Sequence, residues 1–445
     1  MNGHGKAVLG IDLGTSGVKV LVAATDGSVL GRAAAGYPVR VPAPGRAETN
    51  PEDWWSATRR ATREALAGAG RAEVTGLAVA GQMHGVVLVD DRAAPLRPAI
   101  LWLDQRAAAE AAGYADLPWD YTAVLGNRPS PGMAGPILCW LAAHEPYTLR
   151  ASWWALQPKD WLRLRLCGQA ATDPTDASGT LLFDLERDSW ADDLIKVLGI
   201  PRELLPPVRG SAELAGSLLP GPAADLGLPP GIPVTVGAAD TAAALYAVGL
   251  LPEEAMLTLG SGGQWAVPVA APGFRPADTT NLFRAVGDGS YRLAPVQNAG
   301  VTLDWVRNLF GATWEELYDT ASRPRRADAP RFEPYLTPER WHPGATASWS
   351  GLTLAHERED LMRSALDGVA ALLRERLDDL RAAGHAPRRV IVGGGGTTHP
   401  AWRALLEETL GLPLKDAPTA WLTPAGAARL AAEAATSQRP QVKGA

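Results

Sequence analysis

Cysteine is almost missing: Cys139 and Cys167 are the only two in 445 residues. Two thiols build no disulfide framework, and they suit small core positions in a reducing compartment. The seven histidines are scattered, with no zinc-type spacing to one another or to cysteine. Basic charge is not in excess either. A net charge of −6 gives no field for nucleic acid, so an anionic substrate has to be met by donors placed locally. No apolar stretch has the length and charge-free character of a membrane span. The nearest candidate, residues 232–251, holds Asp240 at its centre among several glycines. Residues 1–6 run directly into a strand pattern, without the charged and apolar regions of a signal peptide. These absences lead to the expectation of a cytoplasmic protein with neither nucleic-acid nor membrane partners. The length leaves room for two or three domains.

What is present is organised around residues 8–22, V-L-G-I-D-L-G-T-S-G-V-K-V-L-V. Two apolar runs flank a Gly-Thr-Ser-Gly turn, which reads as strand–turn–strand. Gly14 and Gly17 let backbone N–H groups face outward, Thr15 and Ser16 add hydroxyls, and Lys19 adds a cation. Donors crowded on a turn poor in Cβ atoms make an anion cradle. Asp12 at its mouth suits Mg²⁺ or its water shell, because that ion prefers carboxylate and phosphate oxygens. A hairpin with a glycine-rich turn and no ligand would read the same way.

Strands are expected over 7–12, 18–24 and 28–37, with Asp26-Gly27 as the second turn. Asn50 and Pro51 predict a helix start, running to about Ala67, and 74–80 returns as a buried strand. The order is β-β-β-α-β. It recurs after residue 250: 255–259 and 264–269 flank Gly260-Ser261-Gly262-Gly263, 291–295 is the third strand, 301–310 a helix, and 390–392 a strand entering the run Gly393–Gly396. The expected fold is therefore α/β, two actin-like (ribonuclease H-like) ATPase domains with a nucleotide cleft between them. The first domain spans 1–245 and the second 246–435, with 436–445 a frayed tail. Residues 107–232 read as an elaboration of the first domain that builds the substrate side. Residues 312–346 read as loops with short elements.

Asp240 follows the strand-like 233–237 and precedes a helix of small residues. Phosphoryl transfer to a hydroxyl needs a carboxylate to orient the nucleophile and take its proton, and Asp240 is the candidate; a plain helix N-cap is the other reading. Gly81-Gln82-Met83-His84-Gly85 closes a strand, where Gln82 and His84 can bond sugar hydroxyls. Asp104 can do the same, or pair with Arg106 as a structural ion pair. Gly394 and Gly395 let backbone approach an adenosine or its phosphates. They lack the Lys-Ser/Thr of a P-loop.

These motifs resemble the FGGY family of carbohydrate kinases, and within it the xylulose-phosphorylating branch. The resemblance rests on G-I-D-L-G-T-S-G-V-K at 10–19, P-E-D-W-W at 51–55, G-Q-M-H-G at 81–85 and R-P-A-I-L-W at 97–102. It continues in K-D-W-L-R-L-R at 159–165, T-D-P-T-D-A-S-G-T at 172–180, P-Y-L-T-P-E-R at 334–340 and the glycine run. It implies ATP-dependent phosphorylation of a ketose, D-xylulose at its 5-hydroxyl, with sedoheptulose, ribulose or a non-catalytic sugar sensor as alternatives. It also implies ATP and Mg²⁺ as cofactors, and it is compatible with a homodimer. Asp240 falls on the base, Met83 and His84 on sugar contacts, and Asp12, Thr15 and Ser16 on the first phosphate turn. Gly260, Ser261 and Gly262 fall on the second turn, and Gly394 and Gly395 on the adenosine segment. Thr241 stands where the family usually has Asn beside the sugar, Leu103 replaces an Asn, Ile137 a Lys, and the second turn reads G-S-G-G-Q. Helices after 425–432 are expected to be short or absent.

Overall fold

The structure, a computed structural model, describes residues 5–118, 121–269, 279–337, 339, 342 and 344–437. Residues 438–445 of the expected tail, and Pro338 and Arg340 of the 334–340 motif, lie outside them. The chain opens with β1 (Lys6–Leu13), β2 (Gly17–Ala24) and β3 (Val29–Gly36). The helix α1 (Pro51–Ala69) and the strand β4 (Glu73–Gly81) follow. Asn50 caps α1 by accepting from the Glu52 N–H, and Pro51 opens its first turn. The helix lays Trp54, Ala57, Ala61 and Ala65 on the sheet. The approach is so close that a Cβ on Gly31 would sit 2.1 Å from the Ala65 carbonyl oxygen. After a long excursion the chain adds β5 (Leu214–Ser217), β6 (Pro233–Thr235) and β7 (Ala238–Ala239). The strand order is β5-β6-β4-β1-β2-β3, with β7 also beside β4.

The second lobe has the same plan. Its strands are β8 (Glu254–Leu259), β9 (Gly263–Val269), β10 (Asn281–Arg284), β11 (Ser290–Val296), β12 (Arg389–Gly393) and β13 (Leu414–Asp416), ordered β10-β11-β9-β8-β12-β13. In both lobes an antiparallel trio lies beside parallel strands: β1 pairs β2 antiparallel and β4 parallel, while β8 pairs β9 antiparallel and β12 parallel. The expected repeat is present, with the additional edge strand β10.

The helices α2 (Asp240–Val248), α3 (Gly300–Leu309), α4 (Trp314–Asp319), α5 (Arg358–Ala382), α6 (Pro400–Leu410) and α7 (Leu422–Ser437) complete the frame. The helix at the end of each lobe crosses over. Ala242 and Ala244 of α2 pack with Met256, Ala266, Phe283 and Tyr291 of the second sheet. Ala427, Ala428, Leu430 and Ala431 of α7 pack with Val8, Leu21 and Ala78 of the first. Gly10 makes room for α7, since a Cβ there would lie 2.0 Å from the Pro424 oxygen. The expectation of a short or absent C-terminal helix is thus corrected. Residues 422–437 form 16 residues of helix, including Thr436 and Ser437, because alanines at close spacing fit the glycine-lined face of the first sheet.

Within the excursion, helices form at Ala134–His144 and Pro158–Cys167. Its loops also hold the second lobe. Asn127 accepts from Leu282 N and donates to Leu282 O, and Ser178 Oγ accepts from Arg284 N. The described part of residues 312–346 holds short elements among loops, as expected. Thr313 and Glu316 form a reciprocal capping box that starts α4.

Candidate active site

Asp12 is the penultimate residue of β1. It stands opposite Lys19 in the hairpin and beside Ala80 of β4. Gly14 to Gly17 close a tight turn through the Gly14 N–H and Gly17 O, 3.0 Å. Around it, Gln82 Nε2 donates to Gly14 O, Tyr37 OH also donates to Gly14 O, and Trp102 Nε1 donates to Thr15 Oγ1. These bonds occupy carbonyl and hydroxyl acceptors and hold the turn with Ser16 exposed at its tip. Gln82, expected to meet sugar, is instead a strut of this turn.

Asp240 is the first residue of α2, three residues after Gly237. Gly237 has φ +89°, and a Cβ on it would lie 2.0 Å from the Val79 oxygen, so the backbone turns hard against β4. Asp240 does not cap α2. Its Oδ1 accepts only from its neighbour, from Thr241 N at 2.5 Å and Thr241 Oγ1 at 3.1 Å. Oδ2 has no hydrogen bond among the described residues.

A buried ionic cluster supports this corner. Lys159 Nζ lies 2.6 Å from Asp160, 3.0 Å from Asp173 and 3.3 Å from Asp176, all with fully buried side chains. Burial opposes the Lys159 charge, but the three carboxylates overcome it and hold its pKa above the ordinary lysine value. Asp173 accepts from Thr175 Oγ1, which in turn accepts from Ala239 N at 2.8 Å, the residue just before Asp240. The K-D and T-D-P-T-D motifs therefore anchor the strand end that presents Asp240.

Asp12 on β1 and Asp240 just beyond β7 flank the end of β4, close enough for the charge of one to act on the other. Burial, then the charge of Asp240, push the Asp12 pKa up to about 7, with Lys19 pulling the other way. Burial also raises Asp240, and the bonds from Thr241 oppose it. A buried carboxylate and a half-buried one, with one nearby lysine, form a donor set suited to a hard divalent cation.

Met83 and His84 sit where the lobes meet. His84 adopts φ +75°, an uncommon conformation that histidine tolerates better than most residues. Its Nδ1 lies 2.6 Å from Gly179 O, and its ring packs at 5.7 Å from that of Phe283. Tyr291 OH points to Met83 Sδ at 3.8 Å. Asp104 is not brought to this place. Its side chain is fully buried, and its oxygens take bonds from Ala47 N and from Arg106 N, Nε and a terminal guanidinium nitrogen. The structure corrects the sugar-binding expectation in favour of the ion pair, since a carboxylate so saturated has no oxygen to offer a sugar.

In the second lobe, Gly260, Ser261 and Gly262 turn between β8 and β9, closed by Gly260 N to Gly262 O. The N-terminus of α3 rests on this turn: Val301 N donates to Ser261 O. Behind it lies a cavity of about 490 Å³, lined by Gly260, Ser261, Asp304, Tyr318, Gly395 and Trp402 among others. Gly394 has φ +87° and comes so close to β8 that a Cβ would lie 2.2 Å from Leu259 O, whereas Gly395 has open space. Sequence reasoning missed Asp304, Tyr318 and Trp402. The Thr313-x-x-Glu316 pattern could have disclosed α4 and so Tyr318; Asp304 and Trp402 left no local signal.

Two lobes of one strand order, each offering a turn with exposed backbone, with a half-open carboxylate where they meet, define a bilobal phosphotransferase of the actin-like ATPase fold. The family model described as the FGGY family of carbohydrate kinases, N-terminal domain, matches residues 7–247, and the C-terminal domain of the same family matches 280–435. The chain belongs to the FGGY family of carbohydrate kinases. It is 34% identical to a xylulose kinase of Escherichia coli (strain K12), covering 98% of this chain and 91% of that protein. It is 35% identical to a xylulose kinase of Klebsiella pneumoniae, covering 95% and 89%. Among solved structures, a xyloylose kinase from Brucella ovis superposes with a TM-score of 0.89 at 32% identity, covering 98% and 91%.

Proposed function

We propose that this kinase transfers the γ-phosphoryl group of ATP to the 5-hydroxyl of D-xylulose, in the cytoplasm. The observation that carries the reading is the Asp240 carboxylate, with Oδ1 tied to Thr241 and Oδ2 without a partner, opposite Asp12 at the first turn. Xylulose as the acceptor is supported by the likeness to xylulose kinases over nearly the whole chain. Asp240 accepts the proton of the attacking hydroxyl. The N–H groups not used in closing the turns at Gly14–Gly17 and Gly260–Gly263, with Lys19, meet the phosphates, and the turn at Gly394 and Gly395, of which Gly395 lines the 490 Å³ cavity, admits the adenosine. Met83, His84 and Thr241 recognise the sugar at the junction. Asp12 is the residue that would hold Mg²⁺, whose chemistry is to neutralise phosphate charge. Closure of the lobes excludes water and so suppresses ATP hydrolysis.

The test is ADP release from Mg·ATP with D-xylulose and a panel of ketoses and polyols. Stimulation by D-xylulose is expected, and in Asp240→Asn a loss of about 10²-fold or more in kcat. Stimulation by another ketose alone would overturn the sugar and keep the mechanism. Normal turnover by Asp240→Asn would overturn the base.

A further inference from the structure

Two residues from opposite lobes touch each other beside Asp240. Thr241 follows Asp240 in the first lobe, and Gln264 ends the G-S-G-G-Q run in the second. Gln264 Nε2 lies 3.2 Å from Thr241 Oγ1, and Thr241 Oγ1 lies 3.1 Å from Asp240 Oδ1. The chemistry of the three groups orients the chain of bonds. An amide nitrogen only donates, so the hydroxyl oxygen accepts from Gln264 and keeps its own proton for the carboxylate.

The strand explains why Gln264 reaches across. Side chains on β9 alternate between faces. Trp265 is buried in the core of the second lobe. Ala266, on the face of Gln264, packs with Met83, Ala239 and Ala242 where the lobes meet. Gln264 is separated from the second phosphate turn by Gly263 alone.

We infer that Gln264 is a positioning residue: through the Thr241 hydroxyl it fixes Asp240 with Oδ1 held and Oδ2 presented to the substrate, and so ties the base to the lobe that carries the second phosphate turn. This rests on the reading of Asp240 as the base. Without the amide, the hydroxyl of Thr241 is free to turn its proton away, which leaves Oδ1 with the Thr241 N–H bond alone and the carboxylate less firmly oriented towards the acceptor. The loss therefore belongs to the step after binding.

Steady-state kinetics of folded variants, with melting temperature as the check on folding, test the relay. Gln264→Met keeps the length and removes the donor. It is expected to lower kcat about 10-fold or more, with KM for ATP and for the sugar within about 2-fold. Thr241→Val, which removes the hydroxyl at equal shape, is expected to lower kcat by a similar factor and, because Thr241 also meets the sugar, to raise KM for the sugar while KM for ATP stays within about 2-fold. The double variant is expected to be no worse than Thr241→Val within about 2-fold, because residues acting through one contact are not additive. Thr241→Ser, which restores the hydroxyl, is expected to recover kcat to within about 3-fold of the parent. Gln264→Met with parental kcat, or losses that multiply in the double variant, would overturn the relay. Asp240→Asn in the same assay separates the two claims. If it turns over normally, the base itself is wrong; if it is inactive while Gln264→Met is normal, only the relay is wrong.

Discussion

At Asp12 the chain buries a carboxylate beside a second carboxylate, Asp240, with Lys19 offsetting part of the charge. Its folded-state pKa of about 7 lies above the ordinary 3.8, so the folded protein keeps a proton there that the unfolded chain releases. Metal-free protein therefore loses stability as pH rises from about 4 to about 7, and above 7 the whole penalty, on the order of 4 kcal/mol, is present. Asp12→Asn removes that penalty. In chelator at pH 8 the variant is expected to melt higher than the parent, with the gap narrowing towards pH 5, while kinase activity is lost. Equal melting temperatures at pH 8 would mean that Asp12 bears no such penalty. The identity of Asp12 and Asp240 as candidates was legible from their places at a strand end and a strand–helix junction. That both lie at the end of β4, and that Gln264 reaches Asp240 through Thr241, was not. Those facts depend on which strand faces lie at the junction between lobes.

Among the elements, the hairpin β1–β2 and the helix α1 follow from pattern alone: alternating apolar runs, a Gly-rich turn, and an Asn-Pro start. The glycine run from Gly393 was legible as a turn, yet its glycines looked alike. The structure separates them. A Cβ on Gly394 would strike the Leu259 oxygen at 2.2 Å from a backbone at φ +87°, while one on Gly395 meets nothing within 4 Å. Gly394→Ala is expected to cost at least about 2 kcal/mol of stability and most of the ATP affinity. Gly395→Ala is expected to leave the melting temperature unchanged and alter only KM for ATP. Thermal melts and ATP titrations on the two variants distinguish the roles, and equal melts would deny the difference. The helix α4 escaped a reading based on composition, because the prolines, arginines and tryptophans around it resemble a loop. Its capping box was the local signal.

For the whole molecule, the exchange of terminal helices makes each lobe dependent on the other's chain. Leu422–Ser437 comes from the end of the sequence and covers the first sheet. A chain ending at residue 421 should therefore lose the first lobe rather than the second. Uncovering that face is expected to cost roughly 5 kcal/mol or more, comparable with the stability of a domain. Circular dichroism melts of such a truncation are expected to show no cooperative transition for residues of the first lobe. A truncated protein melting within a few degrees of the parent would contradict this packing. The same exchange puts α2, and with it Asp240, between the two sheets, where a relative motion of the lobes would move Asp240.

Local sequence by itself determined the strands, the helix starts, the turns with exposed donors and the β-β-β-α-β repeat, because each rests on backbone preferences within a few residues. It also singled out Asp240 as the candidate base. Only the tertiary structure decided that Asp104 is consumed by Arg106, that Gln82 braces the first turn, and that the last helix completes the first sheet. Each of those outcomes is a meeting of side chains or faces, some of them hundreds of residues apart. Spacing along the chain carries no record of such pairings, whereas burial permits a polar group only if a partner is already in place.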